Sequence, residues 1–180
     1  MLLIYIFIIV MIFSLVPVIV NITKKASEGA TMRHNIEKAG GIFIPTHTFW
    51  YMGAIDSKKC DFHVIYDKRV ISVKVISFLY QNVSVNFIDD VSYEIGTVDR
   101  KKSGKSKNKL RKKAKKPYDF RASLKNEYSS LPSARIILFN TPTPAKVTRV
   151  QNGITRDLNY SESTGEGELY NTYGFIRLFK

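Results

Sequence analysis

The chain has 180 residues and a net charge of +13, from 28 Lys and Arg against 15 Asp and Glu, yet no charged residue lies in its first twenty positions. Eighteen of those twenty are apolar, and the rest has the composition of one small folded domain with a single core. The lone cysteine, Cys60, excludes an internal disulfide framework and a Cys-rich structural zinc site.

The leading run, MLLIYIFIIVMIFSLVPVIV, has only Ser14 and Pro17 outside the apolar set. Twenty residues at helical rise span about 30 Å, the thickness of bilayer hydrocarbon, so residues 1–22 are expected to form a retained transmembrane anchor. A cleaved signal peptide would want a basic n-region, a shorter apolar run and a small-x-small cleavage site, and no Lys or Arg precedes this run. Lys24, Lys25 and Arg33 follow it closely. The excess of positive residues on that flank predicts a single-pass protein of the cell membrane, N-terminus outside and residues 23–180 cytoplasmic. A lone thiol agrees with a reducing compartment.

Residues 24–39 predict a short helix stopped by Gly40 and Gly41. From Ile42 the texture is that of strands, with runs at 42–44, 62–66, 70–79 and 83–88, and Asp67, Lys68 and Arg69 as a hairpin turn. The run 134–140, ARIILFN, is nearly all apolar and predicts a strand covered on both faces, ended at Thr141-Pro142-Thr143-Pro144. A helix is expected over 118–128 after Pro117, and a strand over 168–179 after Gly165-Glu166-Gly167. The fold class expected is α+β, a small mixed-sheet domain with flanking helices.

Residues 101–116, KKSGKSKNKLRKKAKK, hold nine Lys and one Arg and no acid, so the rest of the chain is close to balanced. Such a segment cannot bury enough surface to fold, and residues 100–117 are expected to be a disordered loop. Its residues Lys101, Lys102, Lys105, Lys107, Lys109, Arg111, Lys112, Lys113, Lys115 and Lys116 are the candidate polyanion contacts. Anionic lipid and nucleic acid are the partners that chemistry allows, each bound through phosphate and weakened by salt. The alternative is a solvated tract without a partner. Ser103-Gly104-Lys105-Ser106 imitates the end of a phosphate-binding loop, but Asp99 stands where that loop needs Gly, so a nucleotide site is rejected.

Cys60 and His63 are expected to be an incidental pair, pointing to opposite faces of a strand, and no further metal ligand clusters nearby. No Gly-x-Ser-x-Gly turn occurs. The stretch Cys60-Asp61-Phe62-His63-Val64-Ile65, a turn, and Val70-Ile71-Ser72-Val73-Lys74-Val75 resembles the core of the nuclease-related domain, a branch of the PD-(D/E)XK, restriction-endonuclease-like fold. In that family an Asp on one strand precedes a hairpin and a strand carrying Glu-x-Lys. Asp61 matches the Asp and Lys74 the Lys, while Ser72 occupies the Glu position. Glu28 stands where the family has a helical Glu, Pro117 to Leu124 is similar to its Pro-led helix, and Ile136 to Pro144 to its later strand.

The resemblance implies catalysis by a divalent metal on two carboxylates with the Lys stabilising charge on phosphate. A neutral Ser is a poor substitute for an anionic ligand to magnesium, which argues for a domain without catalysis and without a cofactor. The alternative is a magnesium-dependent nuclease with a displaced carboxylate, from Glu28, Glu37 or Asp67. A third reading is a structural or interaction subunit of a membrane assembly. Without the resemblance, Asp61 is a surface residue at a strand start and Lys74, bracketed by Val73 and Val75, looks out to solvent.

Overall fold

The computed structural model describes residues 2–53, 59–78, 82–88, 93–97, 124–164 and 167–180. The expected lysine loop and residues 118–123 of the helix expected over 118–128 lie outside them.

One helix, α1, runs from Leu2 to Lys38 and fuses the expected anchor and the expected short helix. Nothing between Val20 and Lys24 breaks a helix, and Thr23 Oγ1 bonds back to Ile19 O at 2.9 Å, so the polar junction continues the ladder. The helix stops where Gly40 adopts φ 86°, with Gly41 N–H donating to Ile36 O at 2.9 Å, a left-handed C-terminal cap. Its 37 residues reach about 55 Å at 1.5 Å per residue, well beyond bilayer hydrocarbon. The two halves differ in surroundings. Apolar side chains up to Val20, such as Phe13 at 73% exposure, touch little of the protein, whereas Lys25, Met32 and Ile36 are buried against the domain. Among the described residues this is the one helix long and apolar enough to cross a membrane.

The domain is α+β. Strands β1 (Ile42–Pro45), β2 (Phe62–Tyr66), β3 (Arg69–Ile76), β6 (Ser133–Phe139) and β9 (Glu168–Asn171) form a mixed sheet in the order β1-β2-β3-β6-β9. The β1–β2 and β2–β3 pairs are antiparallel, and β3, β6 and β9 are parallel. The β2–β3 hairpin closes through Asp67 and Lys68, at φ 49° and 56°, the pair of left-handed residues that matches strand twist; Arg69 already belongs to β3. A second sheet, ordered β5-β4-β7-β8, comprises β4 (Val83–Phe87), β5 (Tyr93–Thr97), β7 (Lys146–Gln151) and β8 (Ile154–Asp157).

The first sheet is the middle layer. Phe62, Val64, Val73, Val75, Ile136 and Leu138 pack on one side against Met32 and Ile36 of α1 and Phe175 of α2 (Thr172–Ile176). Ile76, Ile137, Phe139 and Leu169 pack on the other side against Val85, Phe87 and Val147 of the second sheet. The apolar run of β6 thus has both faces covered, as its sequence requires.

Three expectations are corrected. The terminal strand ends at Asn171, whose side chain accepts Gly174 N–H at 2.7 Å and starts α2, so residues beyond 171 turn helical. Leu124 and Lys125 are not helical, and the described end of the expected helix over 118–128 is a 3₁₀ turn at Asn126–Tyr128. Lys74 is fully buried, its ammonium beside Asp61 and Lys59 O, on the side of β3 where Ile76 meets the second sheet, not solvent.

Candidate functional site

Cross-strand register assembles the polar residues. His63 pairs with Ser72 across the β2–β3 ladder, and Asp61, one step before β2, falls beside Lys74. Strand alternation then puts Asp61, His63, Ser72 and Lys74 on one face of the middle sheet, opposite the Phe62, Val64, Val73 and Val75 face. All four are buried, and Asp61 is no surface residue.

Asp61 is the hub of this row. Its Oδ1 lies 2.9 Å from His47 Nε2, and its Oδ2 accepts Val75 N–H at 2.8 Å and lies 3.2 Å from Lys74 Nζ. Lys74 Nζ also donates to Lys59 O at 3.2 Å. An ion pair withdrawn from water survives only with such full coordination, since desolvation otherwise outweighs attraction. His47, which the sequence did not single out, holds the outer side of the pair; its side chain is 35% exposed.

Ser72, at the position where the resemblance wants Glu, has its Oγ 3.0 Å from His63 Nδ1. Burial lowers the pKa of His63 below its ordinary value. Cys60 and His63 do not point apart: the chain bends at Asp61, before β2 begins, and brings Cys60 Sγ 3.2 Å from His63 Nε2. The sulfur is also 3.6 Å from Nδ1. A thiol in line with Nε2 would sit much farther from Nδ1, so it lies over the ring face, the geometry of a packing contact and not of a thiol handing its proton to a base.

Glu28 is not part of this row. It lines a groove of about 380 Å³ with Ser27 and Thr31 of α1 and with Thr141, Thr143, Asn171 and Thr172, which follow or end β6 and β9. The other carboxylates weighed for a metal also lie elsewhere: Glu37 pairs with Arg33 at 2.7 Å on the helix surface, and Asp67 sits in the hairpin turn at the far end of β2. The described residues contain no group of three or more His, Cys, Asp or Glu able to hold a metal.

Lys25 joins α1 to the sheet. Its ammonium donates to Ser77 Oγ and Phe78 O, both at 2.6 Å, just beyond β3. Burial pushes its pKa down and the Glu28 carboxylate partly opposes that. The sequence presented Lys25 only as a flanking charge, since no local pattern reveals a partner some fifty residues away. Comparison with family models, with curated proteins and with solved structures gave no match.

Proposed function

We propose that the chain is a single-pass membrane protein whose cytoplasmic domain is a nuclease-like scaffold without catalysis, contacting the phosphates of anionic lipid or nucleic acid through its 101–116 lysines. Support for the anchor is the apolar half of α1, whose large side chains are exposed among the described residues and would be insoluble if left in water. Support for the nuclease likeness is the hairpin arrangement: Asp61 and Lys74 are cross-strand neighbours on one face, and the later strand β6 runs parallel beside β3.

The observation that carries the non-catalytic reading is the state of Asp61. A metal-binding carboxylate must offer a lone pair to the ion and the ion to a substrate, but this one is 0% exposed and spends both oxygens on His47, Lys74 and Val75 N–H. No second carboxylate among the described residues stands beside it, and Ser72 is tied to His63. The described residues around Asp61 do not fit a magnesium ion, which needs near-octahedral oxygen coordination. This reading puts the contact on the cationic run, where each Lys close to an anionic surface contributes about 1 kcal/mol.

The test uses the purified full chain. Incubation with DNA and RNA in magnesium or manganese is expected to give no cleavage; cleavage lost in Asp61→Ala and Lys74→Ala proteins would establish the nuclease instead. In nucleic-acid binding and in contact with anionic against neutral nanodiscs, replacing the ten basic residues of 101–116 by Gln should abolish the polyanion preference. Unchanged binding after that replacement would transfer the function to protein–protein contacts of the domain.

A further inference from the structure

The groove holding Glu28 lies at the carboxyl ends of the parallel strands β6 and β9, where α1 crosses them. Glu28 Oε2 is out of contact with water and meets no hydrogen-bond donor among the described residues. A carboxylate oxygen in that condition is unfavourable until a donor reaches it. The described walls offer none that is charged: no Lys or Arg is among the described residues lining the groove. Thr31 donates its hydroxyl proton to Ser27 O and Thr172 donates to Asn140 Oδ1, so toward a ligand both can only accept. Lys25, one turn back on α1, spends its ammonium on Ser77 and Phe78. In a chain of net charge +13, Glu28 is the one ionisable carboxylate among the described residues of this groove, set among neutral hydroxyl and amide groups, with the Lys25 charge acting on it from outside the walls. A phosphate would find no counter-charge in it, whereas a primary ammonium, with one positive charge and three donors, fits its acceptors.

Position identifies the source. Glu28 is six residues past Ile22, about 9 Å along the helix axis, while each polar layer of a bilayer is about 5–8 Å thick. A group at the outer end of a lipid headgroup therefore comes within about 1–4 Å of the level of Glu28. We infer that this groove binds the primary ammonium of an aminophospholipid headgroup, with Glu28 as its counter-ion and the threonine hydroxyls as acceptors. The inference rests on α1 crossing the bilayer. It also sets selectivity: a choline headgroup carries the same charge but no N–H, so it leaves Glu28 Oε2 without a donor.

The experiment places the full chain in nanodiscs of equal phosphatidylethanolamine and phosphatidylcholine, extracts it in mild detergent and weighs the retained lipid by native mass spectrometry. Phosphatidylethanolamine should be retained over phosphatidylcholine by about tenfold, the worth of one charge-assisted hydrogen bond, and Glu28→Gln should erase the preference. Thr172→Val, which removes one acceptor and keeps the carboxylate, should weaken it a few-fold; fluorescence of Trp50 verifies that both variants fold. Equal retention of the two lipids by the wild type, or an undiminished preference in Glu28→Gln, overturns the inference. Flotation with vesicles reports the anchor separately. A chain that fails to float, yet is stabilised by free ethanolamine only when Glu28 is present, refutes the bilayer source and leaves a soluble amine as the ligand.

Discussion

Removing the Asp61 carboxylate tests whether the buried row is scaffold or machinery. Asp61→Ala deletes the partner of Lys74 Nζ at 3.2 Å, the acceptor of Val75 N–H at 2.8 Å and the contact to His47 at 2.9 Å, in a place without solvent to replace them. Breaking one side of a buried pair costs about 3–5 kcal/mol, because the remaining charge is stranded. Against a total stability of about 5–15 kcal/mol that is a large fraction, and at about 2–4 °C per kcal/mol it lowers the melting temperature by about 6–20 °C. The chain carries its own reporter in the single Trp50, packed 4.7 Å from Phe43 and 5.0 Å from Phe62, the residue after Asp61. Trp50 fluorescence of the full chain in detergent, followed through urea unfolding, measures the loss. The double variant Asp61→Leu with Lys74→Met should recover most of it, since apolar groups of similar size replace such pairs at little cost. A loss below about 1 kcal/mol, the range of exposed pairs, or a double variant no better than Asp61→Ala, would refute the assignment of Asp61 as a structural keystone.

His63 supplies a pH test: burial holds its folded pKa below the ordinary 6.5, so on acidification the unfolded chain takes up a proton that the folded one refuses. Stability should therefore fall as pH drops below 6.5, and the slope between neutral and mildly acid pH should be shallower in His63→Gln; an identical slope would remove His63 from that role. Glycine substitutions separate strain from collision. Gly53, at φ 67°, would place a Cβ into the Val75 carbonyl, whereas Gly153, at φ 76°, has open space around it. Gly153→Ala should cost about 1–2 kcal/mol from the left-handed conformation alone, and Gly53→Ala clearly more in the same urea assay; equal losses would contradict the close approach of residue 53 to β3.

Much of the architecture was written locally. The β2–β3 hairpin, the twice-covered β6 and the glycine stop of α1 each follow from a few adjacent residues, and the structure has all three. The β7–β8 hairpin was missed although Gln151-Asn152-Gly153-Ile154 carries the strongest short-range hairpin signal, with Asn152 and Gly153 both at positive φ. Flanking residues hid it, for β8 is exposed throughout and lacks the alternation expected of a half-buried strand. The burial of Lys74 is hidden in the sequence for a different reason. Alternation correctly sets it opposite Val73 and Val75, but whether that other face meets water depends on β4, β5 and β7, which come later in the chain. His47 and Lys25 are linked to Asp61 and Ser77 only through tertiary contact, which no spacing in the sequence encodes.

Topology also bears on which phosphates the lysine run would reach. The run begins four residues after Thr97, the end of β5, and Thr97 pairs with Val83 at the start of β4, five residues past the Phe78 carbonyl that anchors Lys25. It rejoins the fold at Ser133, which pairs with Val70 beside the hairpin turn, at the opposite end of the sheet from the Ile76–Phe139 pair that adjoins that junction. Thr97, the last described residue before the run, thus lies on the anchor side, and β6, the next described strand, starts on the far side. At no more than about 3.6 Å per residue, Lys101, four residues after Thr97, is limited by chain length to about 14 Å from it, whereas Lys116 is nineteen residues from Thr97 and carries no such limit to the anchor side. With α1 in the bilayer, the first half, Lys101 to Lys107, should contact lipid more than the second, Lys112 to Lys116. Limited trypsin cleavage in nanodiscs reads this directly: phosphatidylserine should slow cutting in the first half more than in the second, phosphatidylcholine in neither. Salt near 1 M, where the screening length is about 3 Å, should remove the difference. Cleavage equally fast in both lipids would point the whole run at a soluble polyanion.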